Sequence, residues 1–509
     1  MPMIETLEDR LLLAADLIGG VADAGYTLPG TLVPGDSGNV RVGVLNQGDS
    51  AATGDIKIKL YLSTNILLDA DDILIGSGGT AINLGADEWT TVNISAAVPP
   101  NVAPDDYYVI AVVDADDEIV ESDELNNTAR SAQTSPLVWK FGNFDGRRNV
   151  QMVLLGPTLE PGDVTSVFSM RGRGWGEVAP NLGVFGVGET APFTLTVNET
   201  NAFSQVIVSA DDTGEAFESV TINGALRAMR APDHDIVGDF TAAGRLSLLN
   251  VRNVRGEAGN EVTVSVAPGG GQGRFSFIGC RISDAVFESG IGVRAFRITD
   301  WLNTDGLVDS LTAPSAIVLQ TSGTPGGVAG SFEADIALDG PGGLRRAVIA
   351  GDVTDCDWSI TGRAGALVIR GSLTDSTISA GPRIGRVIVG ALDGSDILAG
   401  IDPAAGRYAT AAAHFTTNSV IGLVNVRGVA GQDRNVIDSN ISAAMVRRLI
   451  LNNPQLDNGG AIFGMHVSSE MRRPVGAVFS RDTALGWTWQ WRPRTPMDFS
   501  LTDFRVNVI

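Results

Sequence analysis

Between Asp114 and Glu124 seven carboxylates occupy eleven positions, just ahead of Asn126 and Asn127. Hard oxygen ligands crowded in this way repel one another unless a cation lies between them. Asp114, Asp116, Glu121 and Asp123 are therefore candidate ligands for calcium, the one cofactor the sequence suggests. The same residues also have a purely structural use. Asp and Asn hydrogen-bond their own backbone in turns, and Ile119 and Val120 would anchor a rigid turn ahead of a strand. Neither this run nor Asp69–Asp72 has the EF-hand spacing, because the required glycine and terminal glutamate are misplaced. Both uses stay open.

Further along, Asp352, Asp355, Asp357 and Asp375 recur near corresponding turns. They could form a column of carboxylates of the kind that polysaccharide lyases and hydrolases place on β-helices, or serve as ordinary turn formers. Trp487, Trp489 and Trp491 alternate, so they share one face of a strand, which suits either stacking on a sugar or covering the last open edge. The run Gly172-Arg173-Gly174-Trp175-Gly176 precedes no helix signal and so lacks the context of a phosphate cradle. His234, His414 and His466 are scattered singly. Cys280 and Cys356 are too few for a disulfide framework or a four-ligand zinc site. Both read as small buried apolar residues, a mutual bridge being the alternative. No catalytic set emerges.

The elements that would position these residues are set by a composition rich in turns. Among 509 residues, 62 are glycine, and aromatics make up only 6 %. Formal net charge is −23, and the first 140 residues hold 22 acidic against 6 basic side chains. Such a field repels phosphate backbones, which excludes nucleic acid as the natural partner. No uninterrupted apolar run of membrane-spanning length occurs.

Four stretches alternate apolar and polar residues with period two: Val40–Val44, Ile56–Leu62, Trp89–Ile94 and Tyr107–Val113. Bounded by Gly, Pro, Asn and Asp, they predict half-buried antiparallel strands spaced as in an immunoglobulin-like sandwich. Ile56, Ile58 and Leu60 then face the core, while Lys57 and Lys59 face outward. Val44-Leu45-Asn46-Gln47-Gly48, Tyr61-Leu62-Ser63 with Asp69–Gly76, and above all Asp114–Thr128 resemble the CARDB family, a bacterial cell-adhesion-related module. The resemblance implies a sandwich used in surface and adhesion proteins, with no chemistry of its own. Leu7-Glu8-Asp9-Arg10-Leu11-Leu12-Leu13-Ala14 resembles an export motif near the start of large planctomycete surface proteins, and implies a secreted or cell-surface location.

After Pro136 short apolar runs recur. Ala347–Asp355, Leu367–Asp375 and Val387–Asp393 align with their glycines, Gly351, Gly371 and Gly390, 20 and 19 residues apart. A strand, a glycine and two further short strands per period predict a parallel β-solenoid; a large antiparallel sandwich or barrel is the alternative. Weaker copies start near Ser219, Leu246, Phe275 and Val424. The expected fold class is all-β: an export-type motif over 1–15, a CARDB-like β-sandwich over 16–133, a β-rich connecting segment or cap over 134–200, and a solenoid with a C-terminal cap over 201–509. The expected function is non-catalytic adhesion or scaffolding toward a surface protein or a polysaccharide. The alternative is a carbohydrate-active β-helix enzyme with an accessory sandwich.

Overall fold

The computed structural model describes residues 14–21, 28, 30–100, 102–103, 105–155, 164–180, 192–210, 215–256, 259–269, 273–416, 418–456, 463–469, 471, 475–482, 487–491, 499–501 and 503–509. The export-type motif therefore lies outside the described residues up to position 13. Two compact units divide the chain, residues 1–141 with 150–167 and residues 142–149 with 168–509. Each has its own buried apolar set. Among the described residues, helix is limited to two single 3-10 turns, Pro403–Ala405 and Ala412–His414. None is long and apolar enough to cross a membrane.

The first unit is an antiparallel sandwich. One sheet joins β1 (Leu17–Val21), β2 (Ser37–Asn46) and β5 (Trp89–Ala97). The other joins β4 (Ile73–Leu84), β3 (Ala52–Ser63), β6 (Asp105–Val112) and β7 (Thr128–Arg130). Period-two alternation fixes which side chains face inward. Val40, Val42 and Val44 of β2 meet Ile56, Ile58, Leu60 and Leu62 of β3 in the core, all at most 1 % exposed. Lys57 and Lys59 project to the outside, where both pair with Asp116.

The second unit is the parallel β-solenoid that the repeat predicts. Three buried columns run through it, each taking one inward side chain per coil. The first passes through Leu195, Val220, Phe240, Val264, Phe287, Leu311, Ile336, Trp358, Ile378, Ile397, Ile441, Met465 and Val506, every step a parallel strand pairing. The second includes Phe277, Phe296, Leu319, Ala347, Leu367, Val387 and Val424. The third includes Ile282, Trp301, Phe332, Val353, Leu373, Leu392 and Val436. One coil cannot bury its own apolar face, so cohesion comes from burial of coil on coil, at about 1.5–3 kcal/mol for each fully buried large apolar side chain. Around the middle coils the columns meet in an aromatic stack of Phe277, Phe287, Phe296, Trp301, Phe332 and Trp358.

The sequence-aligned glycines sit where successive coils approach closely. A Cβ on Gly371 would lie 2.8 Å from the carbonyl group of Gly351 in the coil before it. Before the first parallel pairing, strand Trp175–Pro180 runs antiparallel to Phe193–Asn198. Near the chain's end, Trp487–Trp491 runs antiparallel to Val475–Asp482. The two cysteines are free, and Cys280 is exposed while Cys356 is buried. The expectation that both are buried therefore fails at Cys280, which follows the exposed end of strand Phe275–Ile278 and has its side chain at a coil edge.

Candidate functional site

A concentration of carboxylates lies along one corner of the solenoid, where the third column hands over to the first. The chain must turn sharply there, and a left-handed residue makes the turn: Asp284, Asp355, Asp375 and Asp438 have φ of 51, 50, 44 and 36°, and Gly394 takes the same position with 59°. Asp tolerates this conformation because its short side chain hydrogen-bonds locally. The next residue points inward and is small: Ala285, Cys356, Ser376, Ser395 and Ser439. The serines form a ladder between coils. Ser376 Oγ accepts the Cys356 N–H at 3.0 Å, Ser395 Oγ the Ser376 N–H at 3.1 Å, and Ser439 Oγ the Ser395 N–H at 3.1 Å.

As the coil through Val254 and Val264 also does, the coil through Trp301 and Leu311 departs from this pattern, taking ten residue steps from the third column to the first where Val353 to Trp358 takes five. Instead of a single turn residue it carries the loop Asn303–Val308, and the pairing of Phe287 with Leu311 and of Leu311 with Ile336 puts Asp309 level with Ala285 and Ala334. A carboxylate thus stands in the inward row of small residues, and Asp309 is only 1 % exposed. Its Oδ2 accepts the Trp301 indole N–H at 2.5 Å and the Ala285 backbone N–H also supports the carboxyl, while its Oδ1 is buried without a hydrogen-bond partner. Asp284 holds the loop in place, accepting from the Thr304 N–H at 2.7 Å, the Thr304 hydroxyl at 2.6 Å and the Asp305 N–H at 3.2 Å. Ligand oxygens of Asp284, Asp305 and Asp309 lie within 4.8 Å of one another. Burial, more than the like charges of Asp284 and Glu261, pushes the Asp309 carboxyl up to about 7.

An open cleft of about 490 Å³ adjoins this corner, lined by Asn303, Thr304, Leu307, Asp309, Glu333, Asp335, Asp355 and Asp357 among others. Burial raises the carboxyls of Glu333 and Asp335 above the ordinary range. Of the four aspartates picked out by spacing, Asp355 and Asp357 line this cleft. Asp352 instead accepts the Ser372 N–H at 2.7 Å, and Asp375 makes its corner turn one coil further on.

The acidic loop of the sandwich is organised differently. Asp114 accepts the N–H groups of Glu118 at 3.1 Å and Ile119 at 2.8 Å. Asp116 pairs with Lys57 at 2.9 Å and Lys59 at 2.7 Å. Glu121 accepts from the Leu17 N–H and, at 3.2 Å, from Asn127; Asp123 caps the Leu125 N–H at 3.0 Å. Burial pushes the Glu121 carboxyl up to about 7, with Glu124 and Asp114 adding repulsion. Each of the four candidate calcium ligands is thus engaged by backbone, amide or lysine, and no three of them bring ligand oxygens within 4.8 Å of one another.

Trp487, Trp489 and Trp491 occupy alternate positions of one strand. The side chains of Trp487 and Trp489 lie outside the described residues, and Trp491 is half-buried. Spacing gave no hint of Asp309, the loop below it, or two further surfaces. The first is the β3–β4 loop, where Ile66 and Leu67 are 54 % and 69 % exposed. The second is a shallow pocket of about 380 Å³ lined by Arg245, Arg274 and Arg294. Coil length gives no signal for Asp309, because 24 residues separate Phe287 from Leu311 but also Phe240 from Val264, and 25 separate Leu311 from Ile336.

Residues 15–131 match the CARDB family model. The front of the chain is therefore a CARDB domain of immunoglobulin-like architecture, and a parallel β-solenoid follows it. Among solved structures, the chain is similar to the CARDB domain of a Pyrococcus furiosus protein in complex with di-metal ions, at 20 % identity over 25 % of this chain and 96 % of that one, with a TM-score of 0.18. It is also similar to the sporulation control protein Spo0M of Bacillus subtilis, at 11 % identity over 36 % of this chain and 91 % of that one, TM-score 0.18. A third similarity is to a β-glucosidase of Kluyveromyces marxianus, at 17 % identity over 24 % of this chain and 15 % of that one, TM-score 0.16. No curated protein matches the chain.

Proposed function

We propose that the chain is a non-catalytic adhesion and scaffold protein of the cell surface or extracellular space, holding a surface protein or polysaccharide through its sandwich loops and the outer face of its solenoid. The observation that carries this reading is the β3–β4 loop. Three consecutive apolar residues, Ile66, Leu67 and Leu68, are exposed there on a frame made rigid by Asn65 with Asp69 at 2.9 Å, Asp72 with the Asp69 N–H at 2.9 Å and Asn65 with the Leu67 N–H at 2.7 Å. A loop ordered before contact loses little entropy on binding, and an exposed apolar cluster is what a partner surface would cover. The arginine pocket supports a role for the solenoid face. Among the described residues Arg245, Arg274 and Arg294 pair with no carboxylate, which leaves their guanidinium groups available to an anionic polysaccharide. The CARDB domain is consistent with an adhesion-related role.

The test is co-sedimentation of the full chain with isolated cell walls and extracellular polysaccharides. Retention that falls sharply in an Ile66→Asp/Leu67→Asp variant supports the reading. Equal retention of variant and wild type, or none by either, removes the loop as the binding surface.

The acidic cleft favours a second reading, a carbohydrate-active enzyme, since Glu333, Asp335, Asp355 and Asp357 line it together and burial raises the first two carboxyls, as a general acid requires. Release of reducing ends in a depolymerisation screen, abolished by Glu333→Gln, would establish it.

A further inference from the structure

We propose that Asp284, Asp305 and Asp309, with Glu261 beside them, form a binding site for a hard divalent cation of the calcium kind, built where one coil of the solenoid carries an extra loop.

Closeness of carboxylates alone would not distinguish such a site from a solvated acidic turn. The distinguishing observation is the buried, unpartnered oxygen. Asp309 is 1 % exposed, and its Oδ1 makes no hydrogen bond. Asp305 Oδ2 and Glu261 Oε1 are buried and unpartnered as well. Leaving a buried acceptor unmade is costly, and more so for a charge, so several such atoms at one place call for a shared partner. Among the described residues no arginine or lysine is ion-paired with Asp284, Asp305, Asp309 or Glu261. The ion pairs among the described residues nearest in sequence engage Asp235 and Asp300 instead.

Register gives an independent reason. In the coils on either side, the position of Asp309 is filled by Ala285 and Ala334, and further on by Cys356, Ser376, Ser395 and Ser439. The fold closes this corner with a small residue in those coils, so the turn itself does not require a carboxylate, although Asp309 also faces the Ala285 N–H as Ser376 faces that of Cys356. Trp301 fixes Oδ2 and leaves Oδ1 unpartnered, in a carboxylate within 4.8 Å of those of Asp284 and Asp305. Asp284, bonded to Thr304 and Asp305, ties the loop that brings Asp305 to the same point.

The donor set defines the ion. It consists of carboxylate oxygens with no histidine or cysteine, which favours calcium, magnesium or manganese over zinc or copper. Two of the carboxylates come from a loop and its base, and Asp309 also lines the open cleft, from which water can complete the shell. Calcium accepts such irregular, partly aqueous shells, whereas magnesium demands near-octahedral geometry. The competing explanation is a proton shared among the three acids with no ion at all.

The full chain, freed of metal with a chelator and dialysed, should be titrated with terbium while tryptophan is excited. Trp301 lies against Asp309, so a saturable, tryptophan-sensitised emission is expected, and calcium should displace it. Calcium should also raise the midpoint of the solenoid's thermal transition. Asp309→Asn should weaken calcium binding by at least about tenfold, since one charged ligand is lost. If Asp309→Asn does not fold, Asp305→Asn, on the loop itself, should show the same weakening. Asp114→Asn, in the sandwich loop, should leave the emission unchanged. No saturable emission and no calcium-dependent rise up to about 10 mM would overturn the proposal, as would binding that survives both solenoid substitutions or is lost with Asp114→Asn.

Discussion

The Trp301 indole donates to Asp309 Oδ2 across 2.5 Å, and neither side chain is more than 1 % exposed. A carboxylate held in this way is compatible with a packed core only if it is protonated or paired with a cation. That makes the corner of one coil sensitive both to pH and to the ions present.

In chelator, the sign follows from the carboxyl being held up at about 7, above its ordinary range in the unfolded chain. Between the two values the folded state binds a proton that the unfolded state lacks, so this group's contribution to stability falls as pH rises through that window. Asp309→Asn cannot ionise and keeps an oxygen for Trp301. It should be the more stable protein at pH 8, by on the order of 3 kcal/mol, with the gap closing toward pH 4. Urea unfolding of both proteins at several pH values checks this, and His234 and His466, neutral in the fold, cancel in the comparison.

Glu121 should behave alike in the sandwich. Burial holds its carboxyl up at about 7 while Leu17 and Asn127 bond its oxygens. Glu121→Gln preserves an acceptor and removes the charge, so the sandwich's unfolding midpoint should rise at pH 8 and be unchanged near pH 4. An equal effect at both pH values would mean that packing, not ionisation, governs the site.

The register of the solenoid was legible because its repeat is written in apolar residues and glycines. The alignment of Ala347, Leu367 and Val387, made on sequence alone, is the strand pairing of the fold, and Val353, Leu373 and Leu392 follow it. The sandwich was legible in the same way, from alternation such as Ile56-Lys57-Ile58-Lys59-Leu60. The cation corner was not. Asp284 and Asp305 belong to different coils, and Asp309 reads as one more acidic turn residue until the pairing shows it level with Ala285 and Ala334. The burial of Cys280 was misjudged because a coil edge and a coil interior have the same residue pattern over two or three positions.

Coil-on-coil burial predicts that a cavity in one column is felt by its neighbours. Leu373→Ala leaves Val353 and Leu392 without their partner and should cost about 2–5 kcal/mol in urea unfolding of the second unit.

The corner aspartates are turn formers on this account. Asp375 has φ of 44°, so Asp375→Gly should be nearly neutral while Asp375→Val should cost about 1–3 kcal/mol. Any depolymerising activity that vanishes in the glycine variant would instead give Asp375 a chemical role.

The molecule is proposed to hold its partner without transforming it. The most direct measurement incubates the full chain with isolated cell walls and with the soluble polysaccharides extracted from them, and follows bound protein and released reducing or unsaturated ends over time. Stable retention, reduced by Ile66→Asp/Leu67→Asp and accompanied by no release of ends, is the predicted result. Steady release of ends that scales with protein concentration and stops in Glu333→Gln would contradict it.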